Sequence, residues 1–168
     1  MTPFATTKGM EATATPYAHR VAFAAELPQI AQLWLAMFEA VGKHRESDFA
    51  PDWRERFADY CAKRMQAGEL RYFVVEDTGA IVACAGALIR DGYPMEIHGI
   101  RNGYIFGVSV QPEMRGRGLA TALTGACVHW LTQTGVARIS LHASPFGRPI
   151  YERMGFIPTN EMQLPKTV

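Results

Sequence analysis

Residues 104–120 read YIFGVSVQPEMRGRGLA, and the order of events in that stretch decides how the chain folds. Residues 104–110 (YIFGVSV) have the aromatic and β-branched content of a strand, with Gly107 inside it, which marks a bulge or a close approach by another backbone or a ligand. Residues 111–118 (QPEMRGRG) then break the pattern sharply. Leu119, Leu123, Ala126, Cys127 and Trp130 follow at helical spacing, to an end near Gly135. A strand running through glycines into a helix directs unpaired backbone N–H groups and the positive end of a helix dipole at one point, as a phosphate or pyrophosphate requires. Arg115 and Arg117 put charge at that point, and residues 112–153 carry five arginines against two glutamates.

Other glycine-loop readings fit less well. A P-loop needs Lys and then Ser or Thr after its last glycine, and here Gly118 precedes Leu119 and Ala120. A dinucleotide fingerprint needs glycine where Thr121 stands. An arginine-glycine tail that binds nucleic acid would be repeated, whereas this one is single and lies between well-patterned elements. A helix start with glycines for tight packing is the plain alternative.

Outward from this turn, the pattern predicts a short strand over 19–24 and a helix opened by Glu26-Leu27-Pro28, with Ile30, Trp34, Met37 and Val41 on one face. A second helix starts at Pro51-Asp52 and closes at Gly68. Strands are expected over 71–77 and 80–89 with a two-residue turn at Thr78-Gly79, then a long irregular connection over 90–103. Beyond the central helix come a strand over 137–142, a short helix over 146–154 and the start of a last strand at Gly155-Phe156. Residues 1–18 are rich in Thr, Ala and Pro without a sustained period and read as a flexible leader, leaving 19–168 as one domain.

Composition narrows the function. The chain has 168 residues, 48% hydrophobic, which suits one well-filled core, and a formal net charge of +1, unlike a dedicated nucleic-acid binder. No apolar run is long enough to span a membrane, and the first 18 residues lack the pattern of a secretory signal, so a cytoplasmic protein without membrane or nucleic-acid partners is expected. Cys61, Cys84 and Cys127 sit among apolar neighbours at wide spacing and read as buried, unreactive thiols. The five histidines show no metal-ligand spacing, so no metal is expected.

Residues 108–120 closely resemble the acetyl-CoA motif of the GNAT superfamily of N-acetyltransferases, Arg/Gln-x-x-Gly-x-Gly/Ala, with Arg115, Gly118 and Ala120 in its fixed places. A second mark of that family, a tyrosine followed four residues later by Gly-Phe, matches Tyr151, Gly155 and Phe156. The resemblance implies a mixed α/β fold with a mostly antiparallel central sheet, splayed at a bulged fourth strand and flanked by about four helices. It implies acetyl-CoA as acyl donor. By position, Val108, Ser109 and Val110 would meet the pantetheine arm along the strand, while Arg115, Gly116, Arg117, Gly118, Leu119, Ala120 and Thr121 would wrap the pyrophosphate. Ser144 stands where many members have Asn, and Gly147 and Pro149 interrupt the usual pattern around it. The resemblance also assigns Tyr151 the role of general acid.

Transfer of an acyl group from a thioester to an amine needs a neutral amine, a stabilised oxyanion and a proton for the departing thiolate. A phenol at about 10 lies close enough to a thiol at about 8.5 to supply that proton, and the Val110 N–H is expected to help polarise the thioester carbonyl. The base stays open among Glu39, Glu96, His98, His142 and a chain of ordered waters, because residues 102–110 contain no carboxylate. Residues 39–77 hold nine acids and seven bases, a balance compatible with a cationic acceptor, and Trp34, Phe38, Trp53 and Tyr104 are candidates for an aromatic wall. The expected activity is direct transfer to a primary amine of a small molecule or peptide. The alternative is a catalytically silent acyl-CoA-binding module. Assembly as a homodimer is left open.

Overall fold

The structure, a computed structural model, describes residues 16–92 and 100–162. Five strands, β1 (His19–Val21), β2 (Leu70–Asp77), β3 (Ala80–Asp91), β4 (Arg101–Val110) and β5 (Ile139–Leu141), form one sheet in sequence order. The first four are antiparallel, while β5 lies parallel to β4. A parallel neighbour needs a crossover, which is the helix α3 (Leu119–Gln133). Helices α1 (Leu27–Ala40) and α2 (Trp53–Gln66) join β1 to β2, and α4 (Arg148–Arg153) follows β5.

Both faces of the sheet are covered, which is why β2 and β3 read as nearly continuous apolar runs rather than alternating ones. The two-residue period still sorts their side chains. Leu70, Tyr72 and Val74 meet Leu27, Ile30, Leu33 and Cys61 of α1 and α2. Phe73 and Val75 of β2, and Ala83, Ala85 and Ala87 of β3, meet Leu123, Cys127 and Leu131 of α3 on the other face. The alanines leave room for α3 to lie close to the sheet centre.

Two features position the site. Opposite the single residue Ala85 of β3, strand β4 places two, Gly107 and Val108, since Cys84 pairs with Ser109 and Gly86 with Phe106. This is the bulge expected of a glycine in that strand, and Gly107 takes the left-handed backbone (φ +60) that glycine tolerates best. Secondly, β5 pairs with β4 only from Gly103 to Ile105, so the sheet parts beyond that point and the edge of residues 106–110 is open.

The structure corrects three expectations. The irregular connection is shorter than 90–103, because β3 and β4 extend as a polar ribbon in which Arg90 pairs with Asn102 and Asp91 with Arg101. No last strand forms at Gly155-Phe156 among the described residues. The Phe156 N–H instead bonds the Tyr151 carbonyl at 3.0 Å, closing α4, and the Phe156 side chain packs on the α3 core. Pro158, which has no N–H for a ladder, stands two residues on. The acids of 39–77 also do not face the cleft described below.

Candidate active site

Where the sheet parts, a cleft of about 460 Å³ opens between α1 and the β4–β5–α4 side. Its walls are mostly apolar: Trp34, Met37, Phe38 and Val41 from α1 and its end, Tyr104, Phe106 and Val108 from β4, and Leu88 and Tyr60 at the margin. The polar lining comes from Lys43, His142, Ser144 and Tyr151. Of the residues expected in an aromatic wall, Trp34, Phe38 and Tyr104 are there, whereas Trp53 is buried behind Trp34 with ring centres 6.1 Å apart. Sequence reading missed Met37, Val41, Lys43, Tyr60 and Leu88. Leu88 was already readable as a strand position, but nothing local indicated that the strand faced a cleft.

Tyr151 is held by its ring. It lies edge-on to Phe156 at 6.1 Å, and a Cβ added at Gly147 would come within 2.9 Å of it, so the residue before the helix must be small. The side chain is buried, yet its hydroxyl has no hydrogen-bond partner among the described residues and is not sealed from solvent. Burial pushes this phenol up to about 12. Ser144 closes the turn that leads into the same helix, its Oγ accepting the Gly147 N–H at 3.1 Å, which leaves the hydroxyl hydrogen free to donate into the cleft.

Along β4, the Gln111 N–H is given to the Val82 carbonyl at 2.9 Å, and the alternation of strand groups turns Val110 toward the open edge. There the Arg115 Nε donates to the Val110 carbonyl at 3.2 Å, tying the turn to the strand. Ser109 points the other way: its hydroxyl donates to the Leu33 carbonyl at 2.9 Å and is buried under α1, and its backbone faces its β3 partner Cys84, so the strand's open-edge groups are those of Val108 and Val110. Ser109→Ala is therefore expected to lower stability by about 1 kcal/mol in a denaturant titration while leaving acetyl-CoA binding unchanged. A tenfold loss of binding would show that the hydroxyl serves the cofactor after all.

The turn itself starts with a short 3-10 helix (Pro112–Met114) anchored by buried Met114. Gly116 (φ +74) and Gly118 (φ +78) both take left-handed backbone, and Gly118 caps α3. The first-turn amides of Leu119, Ala120 and Thr121 have no acceptor within the helix. The Leu119 side chain is core, so this residue offers only its backbone outward. Arg115 and Arg117 are exposed; Arg117 Nη1 donates to the Tyr17 hydroxyl at 2.7 Å. The residues expected from sequence to bind pyrophosphate thus run continuously from the turn into the first turn of α3, outside the cleft and joined to it through β4.

Of the proposed bases, Glu39 is exposed in a separate hollow with His44, Arg45 and Asp48, while Glu96 and His98 lie outside the described residues. His142 lines the cleft. The three cysteines are buried and in no disulfide, and burial raises Cys61 to about 11, Cys84 to about 12 and Cys127 further still. No helix among the described residues is long and apolar enough to cross a membrane.

Comparisons with known proteins agree with this geometry. Residues 28–156 match the acetyltransferase (GNAT) family. A GCN5-related N-acetyltransferase from Ralstonia eutropha superposes with a TM-score of 0.78 at 28% identity, over 89% of this chain and 98% of that one. A predicted acetyltransferase from Clostridium acetobutylicum, solved with acetyl-CoA, gives a TM-score of 0.79 at 22% identity, over 89% and 96% of the two chains. A mycothiol acetyltransferase of Amycolatopsis mediterranei is 25% identical over 115 residues, which cover 62% of this chain and 38% of that relative's length. The mostly antiparallel five-stranded sheet with its four helices matches the fold of the two solved structures, and the chain belongs to the GNAT family of acetyltransferases, as an acyltransferase enzyme.

Proposed function

We propose that the protein transfers the acetyl group of acetyl-CoA directly to a primary amine carried on a largely apolar small molecule or peptide. The observation that carries this reading is the open edge of β4. It runs between the glycine turn expected to hold the pyrophosphate and a cleft in which the Tyr151 hydroxyl is unengaged. A pantetheine arm laid along that edge would bring its thioester to the cleft, and the Val110 N–H would polarise the carbonyl. Support for the donor comes from the family match and from the acetyl-CoA bound to the Clostridium neighbour. The lining favours an apolar acceptor body, because none of the acids of 39–77 lines the cleft and the one cation among those residues that does is Lys43.

Two measurements test this. Calorimetry should show acetyl-CoA binding one site per chain. Thiol release should then depend on an added amine in a panel of alkylamines, phenethylamine, tyramine, spermidine and short peptides, with the arylalkylamines faster than spermidine. Binding without amine-dependent release would instead identify a silent acyl-CoA-binding module.

A further inference from the structure

Tyr104 of β4 and His142, just after β5, meet across the parallel strand pair, with the Tyr104 hydroxyl 2.5 Å from His142 Nδ1. The contact follows from register: Tyr104 pairs with Ser140 and Ile105 with Leu141, so the next residue out, His142, folds back toward the tyrosine. On the far side of the imidazole, Glu161 Oε1 lies 3.8 Å from Nε2. On the other face of the phenol, the Arg90 guanidinium sits 4.4 Å from the ring centre. Phe106 stacks beside it with ring planes 11° apart. Tyr104 and His142 both line the cleft that contains Tyr151. Carboxylate, imidazole and hydroxyl therefore stand in line, ending at the space where an acceptor amine would sit.

We infer that Tyr104, His142 and Glu161 form the relay that removes the proton from the attacking amine. The inference rests on the acetyl-transfer reading above. As the amine nitrogen bonds to the thioester carbonyl carbon, its N–H bond breaks and the proton passes to Tyr104 Oη. The Tyr104 O–H bond breaks in the same event, and that proton goes to His142 Nδ1. The resulting imidazolium faces the Glu161 carboxylate, and because the His142 side chain is well exposed it returns its proton to water. Collapse of the adduct breaks the C–S bond, the thiolate takes its proton from the separate Tyr151 hydroxyl, and the Tyr151 phenolate recovers a proton from water. One proton leaves nitrogen, one reaches sulfur, and no metal or redox partner is involved.

The surroundings suit a carrier more than a standing base. Burial raises the Tyr104 phenol, with Arg90 opposing and Glu161 adding to the rise, so the hydroxyl stays protonated until it is exchanged. An exposed carboxylate near an exposed imidazole adds little stability, which leaves orientation as what Glu161 contributes.

The relay is tested with Tyr104→Phe, which keeps the ring under Arg90, and with His142→Gln, using the fastest amine of the panel. Each should lower kcat/KM for the amine about 100-fold and leave the acetyl-CoA Kd within about twofold. The double variant should lose little more than either single one, because the pair acts as a unit. Independently of any acceptor, long-range proton–nitrogen spectra of neutral His142 should show the Nε2–H tautomer. Variants at wild-type rate, additive losses or the Nδ1–H tautomer would each overturn the relay alone. A wild-type protein that binds acetyl-CoA and acetylates no amine would overturn the transfer reading, and the relay with it.

Discussion

Tyr151→Phe is expected to lower kcat about 100-fold while acetyl-CoA still binds with wild-type affinity, because the substitution removes one proton and keeps the ring contacts with Phe156 and Gly147. The size of the effect depends on how well the phenol matches the thiolate it must protonate. A phenol pushed up to about 12 is a weak acid toward a thiol near its ordinary value. The leaving thiolate, however, departs inside the same apolar walls. Burial in this protein lifts the Cys61 and Cys84 thiols to about 11 and 12, so a thiolate covered by the cleft rises with the phenol and the gap narrows. The sign of the pH dependence follows. Folding favours the neutral phenol, and the stability that goes with it is complete below about pH 10 and lost as the pH climbs through about 12. Tyr151 should therefore remain a proton donor throughout pH 6–9, and Tyr151→Phe should lower a kcat profile without changing its shape over that range. A variant that retains wild-type turnover would remove the acid role, and one that loses acetyl-CoA binding would turn Tyr151 into a packing residue.

What the chain shows in its sequence divides along the range over which each signal acts. The turn at Arg115–Gly118 and the bulge at Gly107 were readable because each is written in neighbouring residues: glycines where left-handed backbone is required, and a cleanly periodic helix after them. The cleft was only half readable. Trp34 and Phe38 announce a large aromatic surface, but helical spacing does not say which rings of α1 and α2 end in the core; Trp53 does and Phe38 does not. The Tyr104–His142 contact was out of reach, since it depends on the register of a strand three residues long. Charge misled in the opposite direction. The acidic excess of residues 39–77 is spent on solvated faces and local ion pairs such as Arg64–Glu69, and an acid count cannot distinguish those from a binding surface. The ribbon of Arg90, Asp91, Arg101 and Asn102 looked like loop because its residues are polar, yet all but the buried Asn102 are exposed and have no need to be apolar.

The bulge supplies the other large effect. Gly107→Val places a β-branched residue at φ +60 with its Cβ 3.1 Å from the Trp34 indole, so either the backbone leaves the left-handed region or the indole moves toward the cleft. Leaving that region removes the bulge, and a strand that loses one residue of offset exchanges its two faces from there on. Ser109 would then lose the Leu33 carbonyl, and Val110 would no longer present its groups to the open edge. The expected result is a loss of about 2–3 kcal/mol in denaturant titrations together with at least tenfold weaker acetyl-CoA binding by calorimetry. Gly68→Ala is the control: its φ is +71, and nothing lies within 4 Å of the added Cβ, so it carries backbone strain without a steric neighbour. It should cost about 1 kcal/mol and leave acetyl-CoA binding at the wild-type value. If Gly107→Val binds acetyl-CoA as tightly as Gly68→Ala does, the pantetheine arm does not depend on the bulged edge. If it folds with wild-type stability, the left-handed turn at 107 is not what sets the register of β4.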